Sequence, residues 1–325
     1  MRESGKKKMN RENILEFEHV TLSYTDNGRC AAADISFQIK KGMTLALLGE
    51  SGSGKTTVLK AILGLEQLKV HTDKGRILYQ GQDLKDITAE WKGMLGEKIG
   101  MIFQNPGMSF NPIVTYRKQF RQLLKSHRCF TGKSSYDMIE NHLKRLKLPN
   151  AEKILDSRPY EMSGGMQQRI AVAAAMLLSP ELLLADEPTS ALDNRSADAV
   201  LGELEHIRQE GTAVLLVTHN MKVAEQLADK IGVMYGGHLV EYGKTEQILR
   251  RPLHPYTAAL LQAVPVQGGE LPQGLEGQPP LYGAEMKECA FSERCPRSSA
   301  GCRAGAGMMR EIEKDHFVQC REVVG

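Results

Sequence analysis

Apolar and polar residues alternate from Ile14 to Tyr24 (ILEFEHVTLSY), the period of a half-buried strand, and the pattern returns from Ala33 to Ile39. Lys41-Gly42 marks a turn. Thr44 to Leu48 (TLALL) is then almost wholly apolar, as suits a parallel strand covered on both faces. From Thr56 to Leu65 the spacing of apolar residues becomes helical. Four further short apolar runs read as buried strands: Ile99 to Phe103, Leu182 to Ala185, Ala213 to Val217 and Ile231 to Met234. Helical stretches separate most of them, which is the alternation of an α/β fold.

One interval breaks that rhythm. Between Gln104 and Ser163 no good strand stands, only helix-compatible sequence such as Tyr116 to His127 and Ser135 to Leu146, so an inserted helical subdomain is expected there. After Arg251-Pro252 the composition shifts, with a Gly-, Pro- and Gln-rich linker from Gln267 to Gly283 and then a cysteine-bearing tail. The expected division is a core over 14–250, its helical part at about 105–165, and an extension over 251–325. No internal repeat is found.

Composition changes this picture little. The 325 residues carry 42 Lys+Arg against 39 Asp+Glu, a net charge of +3, with 41% hydrophobic and 25% charged residues. That is ordinary globular composition, without the strong positive charge that tight nucleic-acid binding leaves. The longest candidate span, Ile170 to Leu178, falls well short of the ~18 apolar residues that cross a bilayer. Met1 to Arg11 is basic but no apolar segment follows, so no signal peptide is expected. The expectation is a cytoplasmic chain, unless a partner holds it at a membrane.

The strongest chemical signal is Gly49-Glu50-Ser51-Gly52-Ser53-Gly54-Lys55-Thr56, which fits G-x-x-x-x-G-K-[ST] between an apolar strand and a helix. Glycines let the backbone wrap phosphates with N–H groups turned inward, at a helix N-terminus whose dipole favours anions. Lys55 is placed for the β/γ-phosphates and the Thr56 hydroxyl for Mg²⁺. A second site agrees. Leu182 to Ala185 ends in Asp186-Glu187, with Asp186 placed to hold Mg²⁺ and Glu187 to polarise an attacking water. Alone, such a pair is an ordinary loop start; coupled to the phosphate loop it is not.

Ser163-Gly164-Gly165 directly precedes the helical run Arg169 to Leu178. Its hydroxyl and unpaired N–H groups suit a γ-phosphate presented from outside, although alone it is a plain helix cap. Gln104 ends the strand Ile99 to Phe103, Ser190 to Asp193 follows the carboxylates, and His219 ends the strand Ala213 to Val217.

In that order the motifs resemble the ABC-type ATPases, the nucleotide-binding subunits of ABC transporters, over about residues 14–250. The resemblance implies an ABC-type P-loop fold: a mainly parallel sheet, an antiparallel β subdomain and the inserted helices, with the small Cys-bearing extension appended. It implies ATP and Mg²⁺ as ligands, with Tyr24 stacking on adenine and Thr57 joining the nucleotide contacts. It also implies that Gln104 senses Mg²⁺ and the membrane subunit, that Asp193 lies at a dimer interface, and that His219 contacts the γ-phosphate. Ser163, Gly164 and Gly165 would cover the ATP of a partner ATPase, in a homodimer or a heterodimer. Met162 and Met166 depart from the commonest signature residues without touching Ser163 to Gly165.

Gln104 to Pro112 (QNPGMSFNP), Arg169 and Leu253-His254-Pro255-Tyr256-Thr257 resemble the peptide-importer branch more closely, a branch that also contains nickel importers. Physics alone reads the His254 segment as a helix-capping turn. Membrane permease subunits, an extracytoplasmic substrate-binding protein and a place at the cytoplasmic face of the membrane are implied, with no nucleic-acid partner. Rival readings are a soluble ABC ATPase acting on nucleic acid and a regulatory subunit that binds ATP without hydrolysing it. Cys289, Cys295, Cys302 and Cys320 supply four thiols for a 4Fe–4S cluster, a zinc site or free structural thiols. Resemblance to the peptide importers favours the 4Fe–4S cluster.

Overall fold

The computed structural model describes residues 12–263, 275–280 and 288–323. The basic stretch Met1 to Arg11 and most of the Gln267 to Gly283 linker lie outside them. The chain opens with the long strands β1 (Asn13–Tyr24) and β2 (Cys30–Lys40). Then β3 (Thr44–Leu48) leads through the phosphate loop into α1 (Lys55–Leu63). Next come β4 (Val70–Tyr79), the short β5 (Gln82–Asp83), α2 (Thr88–Met94) and β6 (Ile99–Ile102). An antiparallel sheet in the order β2-β1-β4-β5 is thereby completed.

The expected helical insertion is present as α3 (Tyr116–Ser126), α4 (Lys133–Arg145) and α5 (Ala151–Asp156). Tyr116, Phe120 and Leu124 on α3 are buried at steps of four, as are Ser135, Ile139 and Leu143 on α4, so each helix turns one stripe inward. The chain returns through α6 (Gly164–Met176), where Arg169 donates to the carbonyls of Leu146 (3.2 Å) and Lys147 (3.1 Å) and ties the insertion to the core.

The remaining core is β7 (Leu182–Asp186), α7 (Asn194–Gln209), β8 (Ala213–Val217), α8 (Met221–Leu227), β9 (Lys230–Tyr235) and β10 (His238–Lys244). The core ends with α9 (Thr245–Arg250), and the extension holds α10 (Pro255–Gln262), α11 (Ala300–Ala304), β11 (Arg310–Glu313) and β12 (His316–Val318). The main sheet runs β11-β12-β10-β9-β3-β8-β7-β6. Its five strands from β9 to β6 are parallel, while β10, β12 and β11 add antiparallel. The cysteine-bearing tail is therefore bonded into the central sheet.

Every residue of β3, β7 and β8 is buried. Ala46, Leu48, Leu183, Ala185, Val214 and Leu216 face a core shared with the helical insertion, and Leu45, Leu47, Leu182, Leu184 and Leu215 face the antiparallel sheet. Coverage on both faces explains their unbroken apolar sequence. It also places the C-terminal ends of β3, β7 and β8 at one rim, where the loops of interest emerge.

Candidate nucleotide site

The phosphate loop requires its glycines. Gly49 (φ +149°) and Gly54 (φ +98°) have left-handed backbone, and a Cβ would sit 2.1 Å from the Met234 carbonyl oxygen or 2.6 Å from that of Ala31. Lys55 opens α1 and folds back across the loop, donating to the carbonyls of Gly49 and Glu50 (2.8 Å each) and to Ser53 Oγ (3.2 Å). Burial lowers the Lys55 pKa, while the charges of Glu187, Asp186 and Glu50 act the other way. An ammonium group is thus set among carbonyls and carboxylates, where a polyphosphate can draw it out.

The loop borders a cavity of about 400 Å³ that brings together Tyr24, Ser51 to Thr57, Gln104, Asp186, Glu187 and His219. Tyr24 at the end of β1 shares a 2.8 Å hydrogen bond with Thr57 Oγ1. Thr56 Oγ1 donates to Asp186 Oδ1 at 3.3 Å, and burial raises the Asp186 pKa. A hydroxyl, a desolvated carboxylate and the Gln104 amide make an oxygen-donor set that fits a hard divalent cation such as Mg²⁺.

Glu187 is held more tightly than a loop carboxylate. Its oxygen Oε1 accepts the His219 N–H at 3.0 Å and lies 2.7 Å from His219 Nδ1, while Oε2 accepts from Thr218 Oγ1 at 3.4 Å. Glu187 has left-handed backbone (φ +49°), uncommon for a non-glycine residue and the kind of strain that gathers at functional sites. Nothing in the sequence foretold it. The Glu187 carbonyl accepts from Ser190 N–H (3.2 Å) and Ser190 Oγ (3.1 Å), giving Ser190 a local role in that turn.

Several expected residues stand apart from the cavity. Ser163 and Gly164 are exposed at the start of α6, with Gly165 half-buried beside them, and Ser163 Oγ accepts from Met166 N–H at 3.3 Å as an N-cap. Asp193 caps α7 in the same way, accepting from Ser196 N–H (3.1 Å) and Ser196 Oγ (2.8 Å). Glu50 does not line the cavity either; its carboxylate pairs with Arg294 at 2.8 Å.

The chain matches the ABC transporter family over residues 32–190. It also matches the oligopeptide/dipeptide transporter C-terminal region over residues 240–302. The dipeptide transport ATP-binding protein DppD of Bacillus subtilis is 35% identical over 319 residues, 95% of this chain and 94% of that protein. The chain belongs to the ABC transporter family. The oligopeptide transport ATP-binding protein OppD of Haemophilus influenzae is 35% identical over 88% of this ABC chain and 89% of its own length. Among solved structures, an ATP-binding subunit of an ABC transporter superposes with a TM-score of 0.63 at 26% identity, covering 73% of this chain and 92% of that one. As a member of this family the chain is an ATPase.

Hydrogen bonds give the His254 segment, which lies within that C-terminal match, a physical meaning. His254 caps α10, its Nδ1 accepting from Tyr256 N–H at 3.0 Å, as the capping reading expects. Two residues on, the Tyr256 hydroxyl accepts the main-chain N–H of Glu50 at 2.9 Å, a contact with the phosphate loop that sequence reasoning missed. Only a separation of 206 residues closed by folding makes that contact.

One expectation for the tail cysteines, the 4Fe–4S cluster, finds no support in the structure. None of the six cysteines forms a disulfide. Cys302 and Cys320 are buried, and the Cys289 N–H donates to the Cys302 carbonyl at 2.9 Å. Burial pushes the thiols of Cys289, Cys295 and Cys320 up, and neighbouring cysteines add to the effect. The four thiols therefore share one region. Yet among the described residues no group of three or more His, Cys, Asp or Glu is placed to hold a metal ion. This placement gives a 4Fe–4S cluster no support, and no step of the chemistry runs through one.

Proposed function

We propose that this ATPase drives an importer of di- or oligopeptides, bound peripherally at the cytoplasmic face of the cell membrane through permease subunits. The observation that carries the peptide cargo is the match of residues 240–302 to the oligopeptide/dipeptide transporter C-terminal region, continued in full-length likeness to a dipeptide transport protein. Among the described residues no helix is long and apolar enough to cross a membrane, so the translocation path would belong to partner chains. An open apolar groove lined by Leu65, Leu95, Met101, Phe103, Phe110 and Leu123 runs beside Gln104 and supports docking of a membrane subunit there. A substrate-binding protein outside the membrane completes the proposed system. The division at about residue 250, with a helical subdomain at about 105–165, belongs to the same proposal.

In this reading the Gly49 to Thr57 segment wraps the phosphates, Lys55 neutralises the β/γ charge, and Tyr24 stacks on the base. Thr56, Gln104 and Asp186 would hold Mg²⁺, which screens the phosphate charge in the transition state. Glu187 accepts a proton from the attacking water, and His219 orients that carboxylate and faces the γ-phosphate. The exposed Ser163, Gly164 and Gly165 cover the ATP of a second ATPase subunit, identical or related, so that two nucleotides join the pair and hydrolysis releases it.

Uptake of a radiolabelled dipeptide by cells lacking this chain tests the reading. Uptake should be lost and should return with the unaltered chain but not with Glu187→Gln. Intact peptide uptake with loss of nickel uptake would instead select the metal-importing alternative.

A further inference from the structure

Glu50 has all three of its polar groups engaged, and two of the partners come from beyond residue 250. Its N–H donates to the Tyr256 hydroxyl at 2.9 Å. Its carbonyl accepts from Lys55 Nζ at 2.8 Å and from Ser53 N–H at 3.2 Å. Its carboxylate meets Arg294 in a two-pronged pair, Nη1 to Oε2 at 2.8 Å and Nη2 to Oε1 at 3.1 Å. The other three N–H groups of that guanidinium go to Tyr235 Oη (3.0 Å) and the carbonyls of Leu275 (3.2 Å) and Glu276 (2.8 Å). All five donors of Arg294 are therefore used, and its side chain is only 5% exposed. Beneath them the rings of Tyr235, Tyr256 and Phe291 pack with centroids 4.5 to 5.4 Å apart.

We infer that Arg294 is a positioning residue for nucleotide binding: from the cysteine-bearing extension it fixes and neutralises Glu50, leaving the Lys55 charge for the phosphates. The inference rests on the phosphate loop being the ATP site. Its physical basis is competition. Glu50 sits next to the residues that wrap a polyphosphate, and its charge reaches the Lys55 ammonium. Without a cation on that carboxylate, an anion stands beside the phosphate site and draws on the same lysine. The fork of Arg294 removes both effects and also fixes the direction in which the Glu50 carbonyl faces Lys55. The extension thereby sets ATP affinity from a segment that supplies no residue to the cavity.

The test is titration of a fluorescent ATP analogue into the full-length chain, with melting followed in parallel. Arg294→Met keeps the apolar stem and should weaken binding by about tenfold, the order expected when a close charge pair is lost beside a binding site. Adding Glu50→Gln to Arg294→Met should recover most of that loss, because the uncompensated anion is gone. A purely structural role predicts no such rescue. Equal affinity for Arg294→Met and the unaltered chain, or a double variant no better than Arg294→Met, overturns the inference. Should Arg294→Met fail to fold, Arg294→Lys, which keeps a cation but loses the fork, should weaken binding about two- to threefold, with relief by Glu50→Gln. Unchanged affinity there overturns it equally. Absence of any nucleotide binding by the unaltered chain would sink the phosphate-loop reading itself, and this inference with it.

Discussion

Glu187 and His219 meet twice at one oxygen: Oε1 accepts the His219 main-chain N–H at 3.0 Å and lies 2.7 Å from its ring Nδ1. The double contact fixes one carboxylate oxygen and leaves the second with a single long bond, to Thr218 Oγ1 at 3.4 Å. The weakly held oxygen is the one free to accept a proton from water. Glu187→Gln keeps the shape and removes that basicity, so ATP should still bind while turnover falls by about 10²-fold or more. Steady-state hydrolysis beside nucleotide titration checks this, and near-normal turnover would remove Glu187 from the base role.

Lys55 makes three hydrogen bonds within its own loop, yet burial disfavours its charged form. Phosphates offer that ammonium far better acceptors. Lys55→Ala should therefore weaken binding itself by about tenfold or more, in contrast to Glu187→Gln. Equal affinities in a titration would contradict the assignment.

The parts of this fold that were legible share a physical cause. β3, β7 and β8 lie between two layers, so burial on both faces leaves a continuous apolar signature. β4 (VHTDKGRILY) has mostly exposed or half-exposed positions and is held by pairing with β1, which no local pattern reports. β10 escaped because Glu241 interrupts its apolar run, although Gly236-Gly237, both at positive φ, is a hairpin signal that could have located it. At the site, the motifs and the family resemblance named most of the residues that line the cavity, but not Lys60 or Val217. Tyr256 and Arg294 were illegible as partners of Glu50, since those contacts span 206 and 244 residues and depend on where the tail packs.

Glu241 is itself the pin that holds the tail. Fully buried, it accepts from Leu253 N–H (2.8 Å) and His254 N–H (2.9 Å) and meets the equally buried His316 Nε2 at 2.8 Å. These contacts join β10, the entry to α10 and β12. Glu241→Gln replaces one acceptor oxygen with an amide donor that must face another donor. It should destabilise the chain by about 2–3 kcal/mol, the range for stranding a buried polar group. Chemical denaturation would show it, and a loss under about 0.5 kcal/mol, the level of a surface substitution, would contradict the pin.

His254 links that pin to the nucleotide loop and makes it sensitive to acid. Burial lowers its pKa from 6.5 to about 4, with the Glu241 charge acting the other way. The neutral ring is required, because Nδ1 must accept the Tyr256 N–H. The unfolded chain takes up this proton near pH 6.5 and the folded chain only near pH 4, so between those values the unfolded state binds more protons. The contribution is complete above about pH 6.5 and is lost progressively as pH falls towards 4, amounting to about 1–2 kcal/mol between pH 7 and pH 5. Burial also lowers the pKa of His142 and His238, so they steepen the same slope and the informative quantity is a difference between proteins. His254→Asn keeps a capping acceptor but cannot titrate. Urea denaturation of both proteins at pH 7 and pH 5 should give the variant a stability loss smaller by about 1–2 kcal/mol. Parallel losses would show that His254 does not carry the acid sensitivity.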